Sequence, residues 1–204
     1  MAPASERGLS IGGDPDADSS ASRRALAHLD VPGLPVDQFK LAFRNHPSGV
    51  AVITADAGNG PVGLTASSLF SVSVDPPLFV FSVSDQSSST PTILRTDTLV
   101  AHLAGADDLA IARLCATSGV DRFADTSIWS RLPGGEPYFP SIKTWVRGRV
   151  VSTLDAGTAT LVVIHALEAS VSSDVESQES LDDAPPLVYH NRTWHRLGPS
   201  SRMD

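Results

Sequence analysis

The sequence has one cysteine, few aromatic residues, more acidic than basic side chains and no long hydrophobic run. The single cysteine, Cys115, excludes an internal disulfide framework and a zinc site made of several thiolates. With 15 Lys and Arg against 23 Asp and Glu, the net charge is −8, which argues against nucleic acid or an anionic membrane as a partner. No apolar run approaches the roughly 18–20 residues of a membrane span, and the first residues lack the apolar stretch of a secretory signal. We therefore expect a soluble, cytoplasmic protein.

The length and composition indicate one domain with a loose segment at each end. The chain has 204 residues, of which 41% are apolar and 19% charged, so a globular core is expected rather than wholesale disorder. Residues 1–35 show no sustained hydrophobic period apart from a short helix predicted over residues 21–28, and we assign them to a flexible N-terminal tail. The predicted domain covers residues 36–198, with an acidic surface loop at 174–183, and residues 199–204 form a C-terminal tail.

Three helix-start signals interrupt an otherwise strand-like pattern. Asp37 is predicted to cap a helix that runs to about His46. The Ser-Thr-Pro run at residues 89–91 places a capping hydroxyl before a proline at the first helical position. Asp107 or Asp108 is predicted to cap a third helix. The predicted apolar members are Phe39, Leu41, Ala42 and Phe43 in the first helix, and Ala110, Ile111, Leu114 and Cys115 on one face of the third.

Short apolar or alternating segments, joined mainly by turns, predict six or seven strands. Turn-linked strands imply antiparallel pairing, and closing them into a barrel would remove the exposed edges, although a β-sandwich fits the pattern almost as well. Alternation across residues 143–154 places Val146, Val150 and Leu154 on one side of their strand. Strand-like segments span residues 49–55, 62–74, 78–83, 98–104, 143–154 and 158–167, and residues 186–190 and 193–197 flank a probable closing hairpin.

Two patterns resemble binding motifs, one for a dinucleotide and one for a metal, but neither has the features that such a site requires. Residues 58–63 spell GxGxxG after a strand, but Pro61 removes an amide and the following segment is strand-like. We therefore predict a hairpin there, not a dinucleotide-binding loop. His102, His190 and His195 are the histidines that a metal site would need, but no carboxylate cluster or second cysteine supports them, so no metal is expected.

Two clusters of small hydroxyl residues are the remaining signal of function. The first is the TASS segment at residues 65–68, and the second runs through residues 82–84 into the Ser/Thr run at 87–91, which ends at a predicted helix start. Small side chains let a flat ligand approach the backbone closely, and a helix start offers free amides to a phosphate. The alternative is that Ser and Thr simply fill the loops and strands of a Ser-rich protein. The residues alone leave both interpretations open.

Five motifs follow one another in the order seen in a known family. They are FRNHPSGVAVITA, GLTASSLFSVSVDPPLFVFSVS, SSSTP, LVAHLAG and PLVYHNRTWHRL. In this order, over residues 36–198, they resemble the flavin reductase family with the FMN-binding split barrel, which includes the reductase components of two-component flavin monooxygenases. The resemblance implies a mainly β fold, a six- to seven-stranded antiparallel split β-barrel of the Greek-key type with two or three inserted helices.

The resemblance also implies an activity. It implies an NAD(P)H:flavin oxidoreductase that transfers a hydride from NADH or NADPH to FMN or FAD and supplies reduced flavin to a partner monooxygenase. Relatives of this kind are usually homodimers. Because the two cofactors carry the reaction, no proton-transfer residue is expected. The alternatives are a non-catalytic flavin-binding protein on the same barrel, and a split-barrel enzyme that uses pyridoxine phosphate or a deazaflavin.

Cofactor contacts follow from the resemblance residue by residue. His190, in the closing hairpin, occupies the position at which members of the family contact NAD(P)H, so it is a candidate to orient the nicotinamide. His102 occupies a position where relatives often have Asn, so the resemblance implies no role for it. The implied flavin contacts are Thr65, Ala66, Ser67 and Ser68 for the ring and ribityl chain, Ser82, Val83 and Ser84 along the ring and chain, Ser88, Ser89 and Thr90 for the phosphate, and Arg122 and Phe123 near the phosphate and the nicotinamide.

Overall fold

The computed structural model describes residues 32–170 and 185–203. The helix predicted over residues 21–28, most of the predicted N-terminal tail and the acidic loop at 174–183 lie outside the described residues. Within the described ranges, no helix has the length and apolar character needed to cross a membrane. The helices are α1 (Val36–Arg44), α2 (Thr90–Ile93) and α3 (Leu109–Ala116), with 3₁₀ turns at Ala106–Asp108 and Pro199–Ser201. The strands are β1 (Ser48–Gly49), β2 (Ala51–Ala55), β3 (Val62–Ala66), β4 (Phe70–Ser73), β5 (Leu78–Ser84), β6 (Thr98–Leu103), β7 (Ser130–Arg131), β8 (Pro137–Tyr138), β9 (Trp145–Asp155), β10 (Ala159–Ser170), β11 (Leu187–His190) and β12 (Thr193–Arg196).

Seven strands form one sheet in the order β3-β2-β6-β9-β10-β5-β4. Every neighbouring pair in it is antiparallel. Two small sheets join β11 with β1 and β12, and β7 with β8. The predicted fold class, mainly β with a seven-stranded antiparallel sheet and few helices, is confirmed. The described strands outnumber the six or seven predicted, because the segments predicted at 49–55 and 62–74 each correspond to two strands and the short strands β7 and β8 were not predicted.

The position of β2 explains why its residues are apolar except for Thr54, whose hydroxyl donates to the Pro137 carbonyl. Ala51, Ile53 and Ala55 face a first core inside the curled sheet, while Val50 and Val52 belong to a second core on the outer face. All five residues of β2 are buried. A strand covered on both faces requires a continuous apolar run, whereas a half-exposed strand alternates.

Strands β3 and β4 lie at opposite edges of the main sheet although they are consecutive in the chain. The prediction of one strand over residues 62–74 is therefore wrong. β3 pairs with β2 whereas β4 pairs with β5, so the chain leaves one edge at Ser67 and crosses the opening of the barrel to reach the other. This crossing, residues 67–69, places the second half of the TASS segment at the split of the barrel.

The second core lies between the outer face of the sheet and α3. Ala112 and Cys115 of α3 are buried there together with Phe123. Gly63 of β3 faces this helix: a Cβ at that position would be in van der Waals contact, 3.4 Å from Cys115 Sγ and from the Phe123 ring. The predicted apolar face of α3 is wrong at one position: Ala110 is exposed, and Ala112 takes its place because the helix turns that side towards β3.

Helix α1 has no buried residue. It begins earlier than predicted, because the Pro35 carbonyl already accepts from the Phe39 amide at 3.0 Å. Asp37 therefore lies in the first turn and is not the cap, although its charge still suits the positive end of the helix dipole. The helix also ends two residues earlier than predicted. Phe39 and Phe43 pack against each other with ring centroids 4.8 Å apart, and both remain more than half exposed.

The GxGxxG-like segment forms the hairpin between β2 and β3, which confirms the sequence-based prediction. Gly58 and Gly60 have φ values of +91° and +105°, a conformation that glycine adopts at little cost. Asp56 Oδ1 accepts hydrogen bonds from both glycine amides, at 2.8 and 3.1 Å. These amides therefore stabilise a turn and are not directed at a pyrophosphate.

The long hairpin of β9 and β10 extends beyond the barrel core. Val146 and Val150 pack against the first core, as their alternation predicts. Leu154, predicted on the same side, is 40% exposed. It lies close to the Gly157 turn, where the hairpin projects past the end of the core.

Candidate cofactor-binding cleft

A cleft of about 920 Å³ lies between α1, the crossing from β3 to β4 and the β11–β12 hairpin. Phe39 and Phe43 line it from the helix, Ser67 and Ser68 from the crossing, and Tyr189 from the hairpin. Its volume is within the ~300–1,000 Å³ typical of small-molecule sites. Aromatic rings beside small hydroxyl side chains suit a flat ligand with a polar edge.

Two of the four TASS residues line this cleft. Ser67 is exposed there and Ser68 is half-buried. Thr65 is directed to α3, where its hydroxyl donates a hydrogen bond to the Ala112 carbonyl at 2.6 Å. Ala66 packs into the first core. Neighbouring residues of a strand point to opposite faces, so a continuous motif cannot present all four side chains to one ligand.

A pair of hydrogen bonds holds Ser82 beside the crossing. The Ser68 hydroxyl accepts from the Ser82 amide at 3.0 Å and donates to the Ser82 carbonyl at 3.3 Å. Val83, the next residue of β5, is buried in the first core, while Ser84 is exposed. Of residues 82–84, Ser82 is thus the one that is hydrogen-bonded to a residue lining the cleft.

The predicted phosphate run lies at the start of α2, which begins at Thr90 with Ser89 at the N-cap. Pro91 is therefore at the second helical position and not at the predicted first, and the Ser89 side chain makes no capping hydrogen bond. The Ser89 hydroxyl is 1% exposed and donates to the Gly63 carbonyl at 2.9 Å, while the Thr90 hydroxyl donates to a carbonyl of β5. The amides of Ser89 and Thr90 donate to Ser87. Ser88 is the exposed member of the run. These bonds order the loop against β3, and its role in phosphate binding stays a prediction.

Arg122 and Phe123 lie against the end of α3. The Arg122 guanidinium donates to the carbonyls of Cys115 and Thr117 at 3.1 and 2.8 Å, where a positive charge also offsets the helix dipole. Phe123 is 7% exposed and stacks on Phe139 with ring centroids 5.6 Å apart. The carbonyls at the end of α3 therefore hold Arg122, and the second core holds Phe123. Their predicted contacts with the phosphate and the nicotinamide stay predictions.

His190 belongs to the hairpin that borders the cleft. Its Nε2 lies 2.8 Å from Oδ1 of Asn45, just after α1, so this hydrogen bond links the hairpin to the helix. The neighbouring Tyr189 lines the cleft. The His195 ring lies 5.5 Å from that of His190, whereas His102 is buried within the fold, so the three histidines do not meet.

Two buried titratable groups near the barrel are held in their neutral forms. The Phe139 amide donates to Nε2 of His102 at 3.1 Å, so the Nδ1 proton is directed to the Val52 carbonyl 2.9 Å away. Burial lowers the pKa of His102 to about 4, and this effect outweighs the hydrogen bond to Val52. Burial likewise raises the pKa of the Cys115 thiol to about 12. Near neutral pH, neither group supplies a charge or a nucleophile.

A buried ion pair anchors the loop between α3 and β9. Glu136 is 4% exposed, and its Oε1 accepts from Arg147 Nε at 2.8 Å and from the Thr98 hydroxyl at 2.6 Å. Burial alone would raise the pKa of Glu136, but the hydrogen bonds from Arg147 and Thr98 outweigh it and hold the pKa below its usual value. The second carboxylate oxygen, Oε2, has no hydrogen-bond partner among the described residues.

Three cations that no sequence motif predicted line the cleft. Lys40 and Arg44 reach it from α1, and Arg192 from the β11–β12 turn. They form no sequence motif, because the two elements that carry them lie far apart in the chain. The one local signal was an arginine in a two-residue hairpin turn, a position where glycine is usual.

Comparison with known proteins agrees with this architecture. A family model described as "Flavin reductase like domain" matches residues 43–198. The NADH:FMN oxidoreductase of Rhodococcus qingshengii is 38% identical over 167 residues, which are 82% of this chain and 84% of that protein. The reductase component of 4-nitrophenol 4-monooxygenase/4-nitrocatechol 2-monooxygenase from Rhodococcus opacus is 29% identical over 138 residues, 66% of this chain and 74% of that protein. The crystal structure of a flavin reductase domain protein from Arthrobacter sp. FB24 has a TM-score of 0.72 at 31% identity, covering 80% of this chain and 96% of that one.

Fold, motif order and sequence similarity point to one class of protein. The chain belongs to the flavin reductase family, since the family model spans residues 43–198. Its class is that of the NAD(P)H-dependent flavin reductases, oxidoreductases that use a flavin and a nicotinamide dinucleotide.

Proposed function

We propose that this protein transfers a hydride from NADH to FMN in the cleft between α1, the β3–β4 crossing and the C-terminal hairpin. The observation that carries the proposal is that Ser67 and Ser68 line the same cleft as the hairpin of His190. The name of the R. qingshengii relative, NADH:FMN oxidoreductase, supports this choice of donor and acceptor. When both are bound, the nicotinamide supplies a hydride that the flavin ring accepts.

The residues of the cleft position two flat rings and exclude water. Ser67 and Ser68 are small enough to let a ring reach the backbone of the crossing, and the bonds from Ser68 to Ser82 hold that backbone to β5. Aromatic side chains of α1 and the hairpin supply apolar surface around the reacting atoms. No carboxylate is among the described residues that line the cleft, which suits a reaction without proton transfer from a side chain.

The predicted contacts outside this cleft belong to the same proposal. Ser88, Ser89 and Thr90 would hold the flavin phosphate, and Arg122 and Phe123 would lie near the phosphate and the nicotinamide. A contact with β3 supports this assignment. The Ser89 hydroxyl donates to the Gly63 carbonyl, and Gly63 lies against the Phe123 ring. The hydroxyl run and the Arg-Phe pair are therefore neighbours along one strand, the strand that leads into the TASS segment.

Absorbance at 340 nm tests the activity. Purified protein mixed with NADH and FMN should oxidise NADH, and parallel reactions with NADPH and with FAD measure the preference for donor and acceptor. Ser67→Phe, which fills the cleft, should abolish the reaction, whereas Ser200→Phe, at an exposed position outside the cleft, should not. Absence of oxidation with every pair would contradict the proposal, and flavin retention without turnover would support the flavin-binding alternative.

We further propose that the reduced flavin serves a partner monooxygenase. The relative from R. opacus is named as the reductase component of such a system. The compartment that we propose is the cytoplasm, where NADH is available and where an unpaired thiol such as Cys115 stays reduced. A flavin-dependent monooxygenase supplied with NADH, FMN and this protein should turn over its substrate, and omission of the protein should stop it.

We also propose a homodimer. Phe70 and Val72 on β4, an edge strand of the main sheet, are 57% and 56% exposed, and Val74, just beyond the end of this strand, is 93% exposed. Apolar side chains of this size that lie exposed on an unpaired edge mark an interaction surface. Light scattering after gel filtration should give twice the chain mass, and Val72→Asp should give the monomer. Val120→Asp is the control, since Val120 is also exposed (41%) but does not lie on β4.

A further inference from the structure

We infer that Lys40, Arg44 and Arg192 form a phosphate-binding cluster that holds the diphosphate of the nicotinamide dinucleotide. The inference rests on the proposed function and deepens it, because it assigns the anionic part of the donor to a particular wall of the cleft. The three side chains line the cleft of about 920 Å³ together. They also line an adjoining cavity of about 180 Å³ between α1 and the hairpin turn.

The cluster is a local excess of positive charge on an acidic chain. The net charge of the protein is −8, yet the cleft lining contains these three cations and no carboxylate. Asp37 is the one carboxylate on the wall of the adjoining cavity. Within the part of the chain that the structure describes, none of the three cations forms an ion pair. Three cations on one wall with a single nearby carboxylate leave a net positive charge there, and a dianionic guest would offset this charge.

Two elements hold the cations around the cleft. Lys40 and Arg44 are four residues apart on α1 and therefore lie side by side on consecutive turns. Arg192 comes from the β11–β12 turn, and the hydrogen bond between Asn45 and His190 ties this hairpin to the end of α1. Guanidinium groups match phosphate oxygens in a bidentate geometry, and a lysine adds a point charge.

The backbone at Arg192 is an independent sign that its side chain has a role. Asn191 and Arg192 both have positive φ values, +48° and +64°. A two-residue hairpin turn of this kind favours Asn-Gly, because its second residue lies in the left-handed region. An arginine there has a steric cost that glycine would avoid, and such costs persist mainly at functional positions.

NADH, rather than FMN, is the more suitable source of the phosphate groups that the three cations would bind. The predicted flavin phosphate site is the run Ser88–Thr90, and no residue from 82 to 90 lines the cleft with the three cations. A nicotinamide bound near Ser67 would leave the wall of α1 and the hairpin turn, which lines the same cleft, for its ribose and diphosphate. The chemistry recognised by the cluster, a phosphate of a nucleotide cofactor, is shared with FMN, so the experiment must separate the two sources.

Steady-state kinetics of cation variants test the inference. Arg44→Gln and Arg192→Gln should each raise the KM for NADH about tenfold, the loss of one charge-assisted contact, with kcat and the KM for FMN within about twofold of wild type. Arg149→Gln removes an exposed arginine outside the cleft and should change nothing. Arg192→Gly should raise both the Tm and the KM for NADH, because it relieves the backbone while it removes the charge. A higher Tm with an unchanged KM would overturn the inference.

A hydride donor without phosphate groups separates binding of the diphosphate from the transfer of the hydride. N-benzyl-dihydronicotinamide should reduce FMN at the same rate with wild-type protein and with both glutamine variants. A raised KM for FMN without a raised KM for NADH would overturn the inference and assign the cluster to the flavin phosphate. A loss confined to NADPH would overturn it in favour of a 2′-phosphate site. Wild-type protein that oxidises no NADH would refute the proposed function and this inference with it, whereas active wild type with unaffected variants refutes the inference alone.

Discussion

His102 should make the stability of this protein depend on pH in a window set by its burial. The imidazole is fully buried, and both ring nitrogens are used, Nδ1 towards the Val52 carbonyl and Nε2 towards the Phe139 amide. Protonation would place a charge in the core and turn Nε2 from an acceptor into a donor facing another donor. Burial therefore lowers the pKa of His102 from 6.5 to about 4 in the folded protein.

The sign and size of the effect follow from proton linkage. Above pH 6.5 His102 is neutral in both states and its contribution is constant. Between pH 6.5 and 4 the unfolded chain binds a proton that the folded protein does not, so stability is lost as the pH falls. The pKa difference corresponds to about 3 kcal/mol over the whole window, of which about 2 kcal/mol is lost between pH 7 and pH 5.

Urea unfolding followed by tryptophan fluorescence at a series of pH values measures this loss. His102→Asn is the comparison, because an asparagine amide can still donate to Val52 but does not titrate. The variant should be less stable than wild type at pH 7.5, since the Phe139 amide loses its partner, and the difference should shrink by about 2 kcal/mol at pH 5. Parallel stability curves for the two proteins would refute the assignment of the pH dependence to His102.

Three further changes test the site and its support. Ser88→Asp should weaken FMN binding at least tenfold by placing like charge beside the phosphate, while Ser200→Asp should not; equal affinities in a fluorescence titration would place the phosphate elsewhere. Arg147→Met should lower the free energy of unfolding by about 3 kcal/mol, because the buried Glu136 carboxylate loses its counter-charge, and a loss below 1 kcal/mol would contradict this. His190→Ala should raise the KM for NADH more than that for FMN, and unchanged values would exclude it as a nicotinamide contact.

Local patterns in the sequence predicted the elements that depend on local interactions. The continuous apolar run of β2, the glycine turn at residues 58–60 and the closing hairpin around Asn191 all formed as expected. The segment 62–74 was predicted as one strand because its propensity is uniform. Its division at Ser67 follows from pairing with two different strands, β2 and β5, and strand partners are not encoded in local propensity.

The candidate site likewise combines features that the sequence predicted with features that depend on the tertiary structure. The order of motifs along the chain identified the family and pointed to all four TASS residues, 65–68. The alternation of β3 determined that Thr65 bonds to α3 while Ser67 lines the cleft. No motif indicated that Lys40, Arg44 and Arg192 would share a wall.

By itself the sequence determined the strand-rich character, the turns, the family and therefore the class of chemistry, since each of these depends on composition, periodicity or motif order along the chain. Strand pairing and packing, in contrast, determine which hydroxyl groups are already bonded internally and which side chains line the cleft, including the cations from α1 and the last hairpin. The physical reason is that a cleft is made by residues distant in sequence, and their juxtaposition depends on strand pairing and packing throughout the barrel.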